Sequence, residues 1–134
     1  MRALVQTAFG VAVVDLEEDE VVEIGADELL EPADAGVDLP LLVASDRSGS
    51  TVVAVVDRRP PLVVSHDAGM TWSEVGGGLP PGRAVAISHE HPDRMLYASE
   101  SRLFVSLDGG RFWQALTVEL AGIETVAWQE PASA

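Results

Sequence analysis

The stretch SHDAGMTW, Ser65 to Trp72, returns forty-one residues later as SLDGGRFW, Ser106 to Trp113. Self-similarity at a period of about forty residues marks a repeat architecture, in which each copy is one small sheet that cannot bury its faces alone. No other feature constrains the fold as tightly. The period says where each unit begins and how few units 134 residues can hold.

Taken in order, the chain opens with three short Val-rich runs separated by tight turns: RALVQTA, VAVVDL and, after the acidic turn EEDE, VVEIG. Such runs without strict alternation point to strands covered on both faces, as in stacked sheets. Residues 26–38 change character, with ADELLE able to form one helical turn before Pro32 stops it. They are expected to be an acidic connection between units, with a partner-binding insertion as the alternative. The second unit, 39–76, contains four strand-like segments and three turns, and the third, 83–120, aligns with it almost without gaps. A last strand falls in 122–129, where AGIETVAW repeats the start of a unit. The first unit, within 1–25, fits the same frame with Asp15 matched to Ser106 and a degenerate motif, but it lacks a first strand. The two ends are complementary: three four-stranded sheets result if Ile123 to Trp128 pairs with Ala3 to Thr7.

SHDAGMTW matches the Asp-box, or bacterial neuraminidase, repeat pattern S-x-D-x-G-x-T-W at each fixed position, and SLDGGRFW departs only in Phe112 for Thr. The chain therefore resembles Asp-box repeat proteins, the group that includes sialidases, sortilin-like receptors and photosystem assembly factors. The resemblance covers residues 40–128 most clearly. It implies an all-β fold of β-propeller blades, each of four antiparallel strands, with the box as the hairpin between the third and fourth strands at the rim, away from active sites. The structural box residues are then Ser65, Asp67, Gly69, Thr71 and Trp72 in one copy, and Ser106, Asp108, Gly110 and Trp113 in the other. Their chemistry suits that role. The Asp carboxylates can accept backbone N–H groups across a tight turn, the Gly residues can take φ > 0, and the Trp side chains offer an anchor between sheets.

Propellers close with four to eight blades, so three are too few for a ring. The expectation is a C₂ homodimer with six blades, in which the C-terminal strand of one chain completes the first blade of the other. A larger ring or an open arc is the alternative.

Composition narrows the function by exclusion. With 22 acidic against 8 basic residues the formal net charge is −14, and no lysine is present. Nucleic acid is not an expected partner, because phosphate binding needs a basic face. No cysteine is present, so disulfides and thiolate chemistry are excluded, in keeping with a cytoplasmic protein. No run of eighteen apolar residues predicts a membrane span.

Candidate chemistry is sparse. His89 and His91 in HEHPD could share a metal with Glu90 or Asp93, but two histidines in a turn fall short of the three or four convergent ligands a site needs, and no metal or other cofactor is expected. Calcium at EEDE is the weaker reading of a charged turn. Sialidase chemistry needs an arginine cluster, a Tyr nucleophile with an acid partner and a separate general acid. Tyr97 is the single Tyr, it lies in a strand pattern, and the arginines are scattered in turns. No catalytic residue is assigned. Arg58 and Arg59, followed by Pro60 and Pro61, form a turn two residues longer than its counterpart and are the most basic point on an acidic chain. They are the candidate partner contact. The sequence thus predicts a non-catalytic binding or scaffold protein, with a glycan- or small-ligand-binding propeller as the alternative and a glycoside hydrolase less favoured.

Overall fold

The structure is a computed structural model that describes residues 1–26 and 30–130. Twelve strands follow one another: β1 (Arg2–Thr7), β2 (Gly10–Asp15), β3 (Glu20–Ala26), β4 (Leu42–Ser48), β5 (Thr51–Val56), β6 (Leu62–Ser65), β7 (Ser73–Val75), β8 (Ala84–Ile87), β9 (Met95–Ala98), β10 (Arg102–Ser106), β11 (Gln114–Glu119) and β12 (Ile123–Gln129). The helical turn considered for ADELLE falls largely on residues 27–29, outside the described residues.

The strands form three antiparallel four-stranded sheets, ordered β12-β1-β2-β3, β4-β5-β6-β7 and β8-β9-β10-β11. Each is a propeller-like blade that runs from an inner to an outer strand. The fold is all-β, as the repeat predicts. The C-terminal strand pairs with the N-terminal one, with Ala3 opposite Trp128 and Val5 opposite Val126. It completes the first blade within its own chain. One chain is long enough for its two ends to meet.

The blades do not stack in chain order. The inner strand β8 lies between β4 on one side and β12 on the other. Blade 3 (β8–β11) is therefore the middle layer, with blade 2 (β4–β7) on one flank and blade 1 (β12, β1–β3) on the other. Two apolar layers hold the stack together. Val53, Val55, Leu62 and Val64 of blade 2 pack on Val85, Ile87, Met95 and Tyr97 of blade 3. On the opposite face of blade 3, Ala86, Leu96, Leu103 and Leu116 meet Ala3, Val5, Val14 and Val126 of blade 1. Because β8 and β9 are buried on both faces, neither strand alternates, which is why the Val- and Ala-rich runs read as continuous.

Unpaired backbone groups on an inner strand need partners, since nothing extends the sheet beyond it. The flanking blades supply them to β8. Asp46 Oδ2 accepts the Ile87 N–H at 2.9 Å, and the Trp128 indole N–H donates to the Ala86 carbonyl at 3.2 Å.

Strand alternation sorts the turns onto two ends of the stack. One end carries the box hairpins β6–β7 and β10–β11, which rest on the turns before them through Ala68 N–H to Ser50 O and Gly109 N–H to Asp93 O. The other carries the turn Asp57–Pro61, the connection Gly76–Arg83 and residues 30–41. Here Asp57 N–H bonds Leu41 O, and Leu120 N–H bonds Ser101 O. We call these the box end and the proline end.

Candidate functional site

The boxes are built from their own polar atoms. In the first, the Ser65 hydroxyl donates to Asp67 Oδ1 at 2.7 Å and accepts the Gly69 N–H at 2.8 Å. The Thr71 N–H donates to the same Asp67 oxygen at 2.8 Å, and the Thr71 hydroxyl caps Oδ2. These donors, with the Thr71 and Ser65 hydroxyls foremost, pull the Asp67 carboxyl down to about 2. In the second box Ser106 donates to Asp108 at 2.8 Å, Gly110 N–H donates to Ser106 Oγ at 2.9 Å, and Phe112 N–H donates to Asp108 at 3.0 Å. Phe112 brings no hydroxyl. The Asp108 carboxyl is still lowered, chiefly by the Phe112 amide. Both motif glycines have φ +92, in the left-handed region. The Trp113 indole N–H bonds the Gly110 carbonyl at 2.8 Å while its ring meets Tyr97 edge-on. Trp72 instead lines a recess on the outer face of blade 2 with Leu39, Leu41 and Val63. The degenerate first unit makes no comparable clasp: Asp15 Oδ1 takes the Glu17 and Glu18 amides, each at 3.0 Å.

The remaining sequence candidates fall at separate places. The HEHPD turn lies at the box end, and its amides point at one carboxylate: Glu130 accepts from the His89 N–H at 3.0 Å, the Glu90 N–H at 3.3 Å and the Ser88 hydroxyl at 3.1 Å. Among the described residues no three His, Cys, Asp or Glu side chains converge as metal ligands would. In EEDE, Glu17 holds the N-terminal ammonium group and Asp19 reaches blade 3. Its carboxylate accepts the Thr117 N–H at 2.7 Å, the Thr117 hydroxyl at 2.8 Å and the Val118 N–H at 3.1 Å. Those bonds, the Thr117 amide first, lower its pKa.

Tyr97 is fully buried between blades 2 and 3. Its hydroxyl donates to the Pro80 carbonyl at 2.6 Å, and burial pushes its pKa up to about 12. A phenol held as a donor and made harder to ionise is the opposite of an activated nucleophile.

Arg58 and Arg59 stand at the proline end, both exposed. Ion pairs among the described residues join Arg83 to Glu100, Arg102 to Glu119 and the N-terminus to Glu17, and neither Arg58 nor Arg59 takes part. Beside them a cleft of about 220 Å³ opens between Asp57–Pro61 and the blade 2 to blade 3 connection, floored by Val43, Val56, Leu79 and Pro81. An adjoining hollow of about 570 Å³ shares Arg59, Pro61, Leu79 and Pro81 with it. Tyr97, through Pro80, ties one wall of this cleft to the interior.

Sequence reasoning did not find Asp19, Asp46 or Glu130, each of which bonds a neighbouring blade. A signal for two of them exists: Asp46 and Ile87, and His89 and Glu130, are both forty-one residues apart, one repeat along inner strands that lie side by side.

Fold and site together define an all-β, propeller-like repeat protein with clasped hairpins at one end and a basic, proline-walled cleft at the other. No family model and no curated protein matches the chain. Among solved structures it is similar to a GH74 enzyme of Niastella koreensis, at 22% identity over 87% of this chain, with a TM-score of 0.47. The match spans 18% of that enzyme's chain. Among the described residues no helix is long and apolar enough to cross a membrane.

Proposed function

We propose that this chain is a non-catalytic Asp-box repeat protein that acts as a binding module through the cleft at its proline end, and that its partner is a protein segment bearing carboxylates. The observation that carries this reading is the pair Arg58 and Arg59, exposed and free of any carboxylate among the described residues, on a chain of net charge −14. Acidic side chains outnumber basic ones almost threefold here, and Arg58 and Arg59 are the one adjacent pair of arginines in the sequence, so together they can recognise an anion. The apolar floor of Val43, Val56 and Leu79 supplies contact area next to that charge.

The arginine–carboxylate contacts would be exposed, so such binding is local and weakens as salt screens that attraction. A peptide array containing acidic and matched neutral sequences, probed with the chain, tests the reading. Acidic spots should be retained, weaken as salt rises and vanish with Arg58→Ser/Arg59→Ser. Retention unchanged by the double substitution refutes it.

The glycan reading has one observation in its favour. A hollow of about 320 Å³ between the Gly76–Leu79 segment and the second box is lined by Phe104, Phe112 and Trp113, with Arg111 at its edge. Phe112 is 79% exposed, as a sugar-stacking platform would be. Binding on a glycan array that Phe112→Ser abolishes would favour it over the arginine cleft.

A further inference from the structure

The three links between successive blades are unequal. Blade 3 passes to β12 through Leu120–Gly122, and blade 2 passes to blade 3 through Gly76–Arg83. The link from β3 to β4 takes fifteen residues, 27–41, and it alone joins blades that are not neighbours in the stack. Its described residues, 30–41, touch both outermost faces: the Leu30 N–H bonds Gln6 Oε1 of blade 1 at 2.7 Å, and the Ala35 N–H bonds Ser45 Oγ of blade 2 at 3.0 Å.

Those faces are blade-packing surfaces by construction. In blade 3, the cross-strand pairs Tyr97 with Phe104 and Met95 with Ser106 lie under blade 2, with Trp113 beside them. The same pairs one unit earlier are Ala54 with Val63 and Val52 with Ser65, flanked by Trp72. No other blade of this chain lies on them, although Val52, Ala54, Val63 and Ser65 are each at most 3% exposed. Residues 39–41 cover part of the face, and a recess of about 190 Å³ remains against Val56, Val63 and Trp72. Leu41, which lines it, stands 60% exposed. On the far side of the stack, Leu4, Val13 and Ala127 of blade 1 occupy the positions that in blade 3 receive a neighbouring blade.

We infer that the partner for these two faces is a second copy of this chain, and that the copies join by exchanging β12. In that arrangement β12 of each chain pairs with β1 of the other in the register described above. Blade 1 then packs on blade 2 of the same chain, and residues 27–41 become a link between neighbours like the other two. Each backbone pair is kept, the 190 Å³ recess is filled by a blade face, and six blades satisfy the closure that three cannot.

The test uses the full chain. Light scattering after size exclusion should give about 28 kDa, twice the single chain. Since the chain has no cysteine, Leu4→Cys and Ala127→Cys, at facing positions, report which chain supplies β12. Singly substituted chains refolded together and oxidised should give a crosslinked pair on a non-reducing gel. A species of one chain's mass in light scattering overturns the inference. So does a dimer whose mixed variants stay uncrosslinked while the doubly substituted chain closes on itself, because the copies then meet without exchange.

Discussion

Replacing Gly82 with alanine isolates the contact that joins the wall of the proline-end cleft to the interior. Gly82 does not lie in the left-handed region, so a side chain there carries no backbone penalty. By that measure alone Gly82→Ala should stabilise the chain by about 0.4–1 kcal/mol, through a less flexible unfolded state. The obstacle is Tyr97. A Cβ at residue 82 would sit 2.4 Å from Tyr97 Cζ and Oη, closer than side chains tolerate. The ring cannot swing aside, because it meets Phe104 and Trp113 edge-on at 5.9 and 6.0 Å and its hydroxyl is held by Pro80. Overpacking of this kind costs about 1–3 kcal/mol, so the net effect should be destabilising by about 1–2 kcal/mol. The sign should depend on the ring. In a Tyr97→Leu background the clashing atoms are gone, and Gly82→Ala should become neutral or stabilising, a coupling of about 2 kcal/mol between the sites. Tyr97→Phe keeps Cζ in place and should not rescue, while itself costing about 0.5–1.5 kcal/mol for the lost hydrogen bond. Urea unfolding of the variants, followed by tryptophan fluorescence, measures these differences. Additivity of Gly82→Ala and Tyr97→Leu to within about 0.5 kcal/mol would refute the contact as the cause.

Three further outcomes are expected. Asp67 has a folded pKa of about 2, below its ordinary 3.8, so its contribution to stability is present above that ordinary value and lost as pH falls toward 2; Asp67→Asn should flatten the stability profile between pH 4 and 2, and an unchanged slope in acid titrations would count against the clasp. Ala68 holds φ 60 where the second box has Gly109 at φ 75; Ala68→Gly should raise stability by up to about 1 kcal/mol in denaturant melts, because relief of left-handed strain exceeds the entropy a glycine loses. Asp19→Ala removes the acceptor for the Thr117 and Val118 amides; both should exchange hydrogen faster in NMR while the amides of β9 keep their protection.

What the sequence made legible follows from how local each feature is. A repeat encodes what happens inside one unit: strand, turn, strand, clasp. The boxes, the four strands of each blade and the need for IETVAW beside the N-terminal strand could therefore be read from spacing alone. The order of stacking could not. Blade 3 lies in the middle because β12 follows it directly and carries β1–β3 with it, and no local pattern distinguishes this from chain order. The β3–β4 connection was legible as long and acidic, but its bonds to Gln6 and Ser45 depend on where two distant faces end up. Asp19 was hidden for a similar reason: in EEDE it reads as one of four exposed acids, and only the approach of β11 gives it work.

The same logic assigns different roles to the two ends of the stack. At the box end the carboxylates of the clasps are engaged within the chain, while Arg47 and Arg111 are exposed and join no ion pair among the described residues. Asp67 and Asp108 take hydroxyls and amides of their own hairpins, Glu130 takes the amides of the His89 turn, and no buried side-chain polar atom among the described residues lacks a partner. At the proline end two arginines remain uncommitted beside an apolar cleft, on walls that Tyr97 holds in place. The recognition proposed above falls at that end. Joining two chains by exchange of β12 would put the symmetry axis along the channel and both clefts on the same face of the ring. A partner with two carboxylate-bearing segments could then engage both at once, and its affinity would rise by effective concentration without any new contact.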